Sequence, residues 1–353
     1  MEKLGLDFWR GKTVFVTGHT GFKGSWLCKI LYDSGAKVYG YSLPLSYQNK
    51  LFTSIMESNV EKSYFGDIND DDCLQSALLE SQPEIIFHLA AQPLVMDSYK
   101  DPIKTFETNI IGTARLILYS SQLESLKSLV NVTSDKCYAN NNSSTAFLET
   151  DPMGGKDPYS ASKGCAELIS ASLQSSFVSN TSIGLANVRA GNVIGGGDFS
   201  PDRLIPDIVE AIAQGKKVKI RNPLATRPWQ HVFEPLNGYM MVAENLFSCG
   251  PAANSSWNFG PHLTDIRNVD DIAQTFCKEW GLKNIIEYDK TSQPHEAKSL
   301  SLDISKAYSE LKWSPQWSLE ISLAHIADWY KTYLNNGDIA QLSIEQIDRY
   351  FHP

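Results

Sequence analysis

The sequence predicts an α/β protein, with a Rossmann-type doubly wound parallel sheet followed by a smaller, mixed α/β C-terminal substrate region. Three observations predict it. The first half alternates short, β-branched apolar runs with helical patterns, the first of those runs leads straight into a glycine-rich turn and a helix, and after about Gly191 the chain changes to Gly-, Pro- and Arg-containing loops with shorter elements. Strand-helix alternation forces parallel pairing with right-handed crossovers. At 353 residues the chain is long enough for two domains or one large one.

The apolar runs at 13–16, 37–41, 84–89, 128–132 and 183–188 are nearly continuous, as strands buried on both faces must be. Between them, 25–34, closed by Gly35, and 105–123 carry helical periodicity. Apolar residues make up 42% and charged residues 20%, ordinary globular usage that excludes collagen and disordered classes. No apolar run approaches the roughly 18–20 residues of a membrane span, and the first residues lack a leader's apolar core, so no membrane partner and a cytoplasmic location are expected. Thirty-one cations against 40 acids leave a net charge of −9, which repels nucleic acid at long range and excludes it as an expected partner. Cys28, Cys73, Cys137, Cys165, Cys249 and Cys277 form no C-x-x-C pair, so no metal is expected and the thiols are read as reduced and mostly buried.

The first strand runs into Gly18-His19-Thr20-Gly21-Phe22-Lys23-Gly24 and then a helix. Glycines there let the backbone approach a pyrophosphate, and the helix N-terminus offers free N–H donors. His19 and Lys23 could add positive charge or simply face solvent. The second strand ends Tyr41-Ser42-Leu43-Pro44, without the acid that holds a ribose 2′-hydroxyl. No Arg or Lys between Val38 and Gln48 meets a 2′-phosphate either, and NAD is the cofactor expected. Asp67 and Ile68 are placed to reach the adenine, unless the aspartate merely shapes a turn. Leu89-Ala90-Ala91 keeps side chains small where a cofactor passes the backbone, and Asn109 either fixes that neighbouring backbone or is a surface residue.

Tyr159 and Lys163, four residues apart, share one helix face, where the ammonium can lower the phenol pKa from about 10 towards neutrality. A phenol so tuned can take a proton from a hydroxyl as hydride leaves the same carbon, and Ser134, after the fifth strand, can bond that hydroxyl. Arg203, Lys216, Lys217, Lys219, Arg221 and Arg227 concentrate positive charge in 25 residues of an acidic chain. They read either as a phosphate-binding mouth or as a solvated helix and strand face. Trp257 and Trp313 are read as core.

Together these residues resemble the extended short-chain dehydrogenase/reductase family. Thr133-Ser134-Asp135-Lys136-Cys137-Tyr138, Asp157-Pro158-Tyr159-Ser160-Ala161-Ser162-Lys163-Gly164, Arg189-Ala190-Gly191-Asn192, Gly195-Gly196-Gly197-Asp198 and Arg227-Pro228-Trp229-Gln230-His231 narrow the likeness to its nucleotide-sugar 4,6-dehydratases, over about residues 8–330. The pattern departs from them at Met96-Asp97, where arginine is common, and over 140–147.

The resemblance implies a redox-neutral lyase with bound NAD, acting on CDP-glucose in deoxysugar (lipopolysaccharide O-antigen) biosynthesis. It implies Asp135 as the acid for the departing C6 hydroxyl. It sets Lys136 where related dehydratases carry glutamate, as the base for C5–H if burial and Lys163 lower its pKa from about 10.4, or else as a charge beside the enolate. Arg189 joins the expected cofactor set. Asn192, Arg203, Leu204, Lys219, Arg227, His231 and Lys298 become the expected substrate set. The expected division is 1–190 with about 230–262 for NAD, and 191–229 with 263–353 for the nucleotide sugar, in a homo-oligomer, dimer or tetramer. A 4-epimerase, with no use for Asp135 and Lys136, and a non-catalytic NAD-sensing regulator are the rival readings.

Overall fold

The computed structural model describes residues 6–46, 49–55, 60–140, 145–282, 285–288 and 300–352. The first six strands are β1 (Thr13–Thr17), β2 (Lys37–Ser42), β3 (Lys62–Phe65), β4 (Ile85–His88), β5 (Ser128–Val132) and β6 (Gly184–Ala190). Six more follow: β7 (Asn192–Ile194), β8 (Val218–Ile220), β9 (Thr226–His231), β10 (Ser256–Phe259), β11 (Ile266–Asn268) and β12 (Ile286–Tyr288). A seven-stranded sheet in the order β10-β6-β5-β4-β1-β2-β3 is parallel throughout. The smaller elements are a three-stranded sheet, β11-β9-β7, and a two-stranded one, β12-β8.

Alternation along β1 explains its continuous apolar run. Val14 and Val16 pack with Trp26, Leu27 and the helix Phe233–Cys249 on one face, while Phe15 packs with Ile86, Leu116 and Leu129 on the other. The chain reverses direction through the sheet between β1 and β4, and a crevice opens there at the strands' C-terminal ends.

Several elements differ from the sequence reading. The first helix, Phe22–Asp33, starts three residues early because the glycine turn is itself its entry, with Gly21 extended at its N-cap. The expected helix at 105–123 divides into Pro102–Phe106, a π-helical turn Glu107–Ile111 and Gly112–Ser120. β3 lies at the sheet edge with no fully buried residue, so it carries no continuous apolar run.

Trp257 and Trp313 are both core. The thiols are free, but only Cys28, Cys137 and Cys277 are buried, whereas Cys165 and Cys249 are exposed. Beyond Asn335 the chain forms one more helix, Ile339–Phe351, whose Tyr350 hydroxyl donates to the buried Glu234 carboxylate at 2.6 Å. Among the described residues no helix is long and apolar enough to cross a membrane.

Candidate active site

The crevice is a cavity of about 890 Å³ running from the glycine turn to β8. Gly18 holds a φ of +71°, and a Cβ there would stand 2.9 Å from the backbone nitrogen of Ala90; a Cβ on Gly24 would collide with the Gly18 carbonyl. Glycine is therefore required twice, for the turn and for the helix's approach to it. Gly18, Thr20, Gly21, Phe22, Lys23 and Gly24 line the cavity, with Asp67, Ile68, Leu89, Ala90 and Ala91 facing them. This cradle, roofed by small residues and closed by a helix N-terminus, fits the pyrophosphate and adenosine of NAD. At the end of β2, Ser42 is engaged by the Thr20 hydroxyl at 3.0 Å.

Gly24→Ala should abolish NAD binding or shift the helix Phe22–Asp33, because the obstructing atom is backbone. Calorimetric titration with NAD, beside a circular-dichroism check of folding, measures it.

At the opposite wall, β5 is followed by Thr133 and Ser134, and Ser134 caps a short 3₁₀ turn, Asp135–Cys137, by accepting from the Lys136 N–H at 3.2 Å. The Ser134 hydroxyl donates to Asp135 Oδ1 at 3.0 Å, and Lys136 Nζ lies 3.6 Å from that same oxygen. Asp135 is buried, and its Oδ2 has no hydrogen-bond partner in the protein. An unpartnered oxygen in a cavity wall calls for a hydrogen-bond partner from a ligand.

The helix Pro158–Leu173 begins with Pro158 in its first turn and is capped by Asp157, which accepts from Ser160 N–H at 2.9 Å. That cap sets Tyr159 and, one helical turn on, Lys163 in the crevice wall, both buried. Burial pushes the Tyr159 phenol up to about 12, with Ser134 and Arg203 pulling against it and Asp135 and Asp157 adding to it. Burial brings Lys163 down to about 8 against the pull of Glu167, and its ammonium donates to the Val132 carbonyl at 3.2 Å. Lys23 also reaches this wall. Burial first, then the cations Arg203, Lys163 and Lys136, bring it down to about 7.

At the far end, Arg203 stands at the N-cap of the helix Leu204–Ala213 and donates to Asp198 at 2.8 Å. Asn192, Leu204, Lys219, Arg221 and Arg227 line the cavity beside it. Among the described residues no cluster of His, Cys, Asp or Glu could hold a metal.

The profile of the GDP-mannose 4,6-dehydratase family matches residues 15–326. The chain belongs to that family. A relative from Salmonella typhimurium, a CDP-glucose 4,6-dehydratase, is 46% identical over 349 residues, 98% of this chain and 97% of its own. A dTDP-glucose 4,6-dehydratase of Shigella flexneri is 26% identical over 351 residues, 91% of this chain and 93% of its own. Two solved dTDP-glucose 4,6-dehydratases share the fold. That of Streptomyces venezuelae, with NAD and TYD bound, has a TM-score of 0.79 at 22% identity, covering 92% of this chain and 98% of its own. That of Bacillus anthracis, in complex with NAD, has a TM-score of 0.77 at 23% identity, covering 93% and 99%.

Within this family member, several expected site residues take other work. His19 adds no charge to the pyrophosphate. Its ring is buried under β2, bonded to Ser63 at 3.0 Å and edge-on to Phe52, and burial brings it down to about 4. Asn109 does not line the cavity. From the π-helical turn it accepts from Gln92 N–H at 2.8 Å and donates to the Gln92 carbonyl and to Ser162, fixing the backbone that does line it.

The Arg189 side chain is engaged within the protein rather than turned to a cofactor: Nε and Nη2 donate to the buried Glu167 carboxylate at 2.8 Å each, and Nη1 donates to the Tyr138 hydroxyl at 2.6 Å and the Glu149 carbonyl at 3.0 Å. His231 lies on the face of β9 that carries Arg227 and Trp229, but farther along the strand, packed against Phe233 and Trp317 beyond the cavity wall. Lys298 lies outside the described residues. Lys163 does not draw the phenol towards neutrality in this arrangement, since burial dominates and the ammonium is engaged by Val132. Lys136 pairs with Asp135 at 3.6 Å and keeps 30% of its side chain exposed.

Of the six clustered cations, Arg203, Lys219, Arg221 and Arg227 line the cavity, whereas Lys217 pairs outward with Glu287 at 3.1 Å. Glu167 escaped the sequence reading. It stands four residues after Lys163, a spacing that places it on the same helix face, and it accepts the Thr133 hydroxyl as well as Arg189.

Proposed function

We propose that the protein holds NAD and converts CDP-glucose to CDP-4-keto-6-deoxyglucose and water, a step of deoxysugar biosynthesis. The observation that carries this is the Asp135–Lys136 pair facing Tyr159 in a chain nearly half identical, over almost its full length, to a CDP-glucose 4,6-dehydratase. A 4-epimerase has no use for an acid at C6.

Tyr159 accepts the O4 proton as C4 becomes a ketone, and Ser134 hydrogen-bonds the same oxygen. The ketone acidifies C5–H, whose proton passes to water in the crevice, and C5 takes a proton back from water when hydride returns to C6. Asp135 then delivers a proton to the C6 hydroxyl, which leaves as water, while the Lys136 ammonium stands beside the enolate. Bound NAD supplies the acceptor and donor of the two electrons, so oxidation at C4 and reduction at C6 cancel. Arg203 and Arg227 suit the diphosphate, since guanidinium offers paired donors of fixed geometry. With this reading goes a division into 1–190 with about 230–262 for NAD and 191–229 with 263–353 for the nucleotide sugar.

Incubation with CDP-, dTDP-, GDP- and UDP-glucose, followed by mass spectrometry, tests the function. CDP-glucose should give a product lighter by one water without net NAD consumption. Unchanged mass points to an epimerase, and NAD binding with no turnover to a sensor.

Arg227→Met should raise KM for CDP-glucose by about 10- to 100-fold, the worth of a charged hydrogen bond, with kcat less affected. Loss of NAD affinity at normal KM would place Arg227 at the wrong ligand.

Ile103, Ile111, Leu168 and Phe177 are exposed on neighbouring helical segments, which supports a homo-oligomer, dimer or tetramer. Sedimentation equilibrium should return a multiple of the chain mass.

A further inference from the structure

The nucleotide end of the cavity is basic, yet three carboxylates line it: Asp198, Asp202 and Asp207. Two are neutralised in place, Asp198 by Arg203 at 2.8 Å and Asp202 by Arg221 at 3.0 Å. Asp207 has no ion pair among the described residues and is half-buried. It takes the Asp202 N–H, and burial brings it up to about 6, with Arg221 opposing and Asp202 and Glu210 adding to the rise. A third, desolvated carboxylate beside a diphosphate site repels the ligand's anionic part. Such a group is tolerable where the ligand brings a hydrogen-bond donor to meet it.

Its place along the cavity says which part of the ligand that is. Arg203 caps the helix Leu204–Ala213, and Asp207 follows four residues later in the first turn, about 6 Å along the helix axis. Asp207 and Arg221, just after β8, line the same end of the cavity, and with the diphosphate at Arg203 and the helix N-terminus the ribose and base would extend along this wall towards Asp207. Pyrimidines differ in that direction at C4. Cytosine presents an amine there, whereas uracil and thymine present a carbonyl oxygen. A carboxylate accepts from the amine and repels the oxygen.

We propose that Asp207 accepts a hydrogen bond from the exocyclic amine of cytosine and thereby selects CDP-linked over UDP- and dTDP-linked sugars. The proposal rests on the CDP-glucose reading above. An acid in a helix's first turn also favours the helix dipole, but that contribution is blind to the base and cannot alter a ratio between two nucleotides.

The experiment is therefore a ratio. Purified Asp207→Asn is compared with the unaltered enzyme for kcat/KM on CDP-glucose and UDP-glucose, and for calorimetric affinity towards CDP and UDP. The CDP-to-UDP preference should fall by about 10- to 100-fold in both measurements, because the amide is a weaker acceptor and can donate to O4. Equal weakening of both nucleotides would overturn the proposal and leave Asp207 a helix-stabilising residue. A second arm needs no variant. CDP dimethylated on its exocyclic amine should bind the unaltered enzyme about 10- to 100-fold more weakly than CDP, and equal binding would overturn the proposal. Failure of the unaltered enzyme to convert CDP-glucose would instead reject the functional reading, so the two failures are distinct.

Discussion

Replacement of Tyr159 by phenylalanine should slow C4 oxidation by about 10²- to 10⁴-fold, the usual worth of a positioned acid-base group, while NAD and CDP-glucose still bind. The ring keeps its volume, and the helix cap at Asp157 and the Ser98 oxygen that accepts the Tyr159 N–H at 3.2 Å are untouched. What is lost is one proton acceptor. The unaltered enzyme's oxidation rate should rise with pH, because the phenol lies at about 12 and its deprotonated fraction grows throughout the accessible range. The variant should lose that rising limb. Single-turnover mixing followed by acid quench and mass analysis of the sugar measures both effects. Turnover near that of the unaltered enzyme, or a retained limb, would remove Tyr159 from the mechanism.

The glycine turn was legible because its requirement is local. Gly18 needs a positive φ, Gly24 needs room against Gly18, and both lie within one strand-turn-helix unit. The Tyr159 and Lys163 face was legible for the same reason, one helical turn being a sequence spacing. Residues that went astray are those whose partners lie far along the chain. His19 meets Ser63 across 44 positions, and Arg189 meets Glu167 across 22. Each resembles a ligand-binding residue by type, and only the fold shows the His19 ring buried with Nε2 on Ser63 and the Arg189 guanidinium held by Glu167. The tuning of Tyr159 misled differently. Spacing places Lys163 on the right face, but the direction of its ammonium is decided by the Val132 carbonyl, and burial outweighs a charge that points away.

Asp135→Asn should leave C4 oxidation intact and stop the elimination, with a loss of about 10²- to 10⁴-fold in water release. Oδ2 is buried and without a protein partner, while Oδ1 is held by Ser134 and Lys136. One oxygen is thus anchored and the other is left for the ligand, the arrangement a proton donor to the C6 hydroxyl needs. An amide keeps the shape and has no acidic proton to deliver. The sugar recovered after acid quench should then be the 4-ketone, lighter than substrate by two hydrogens and not yet by a water, and its C5–H should still exchange with heavy water. Lys136→Met separates the neighbouring role. With the ammonium gone the enolate loses its cation, so C5 exchange and elimination should both fall while the 4-ketone still forms. Normal exchange in Lys136→Met would leave that lysine as no more than the ion-pair partner of Asp135. Water release at the unaltered rate in Asp135→Asn would show that the leaving hydroxyl takes its proton from another group.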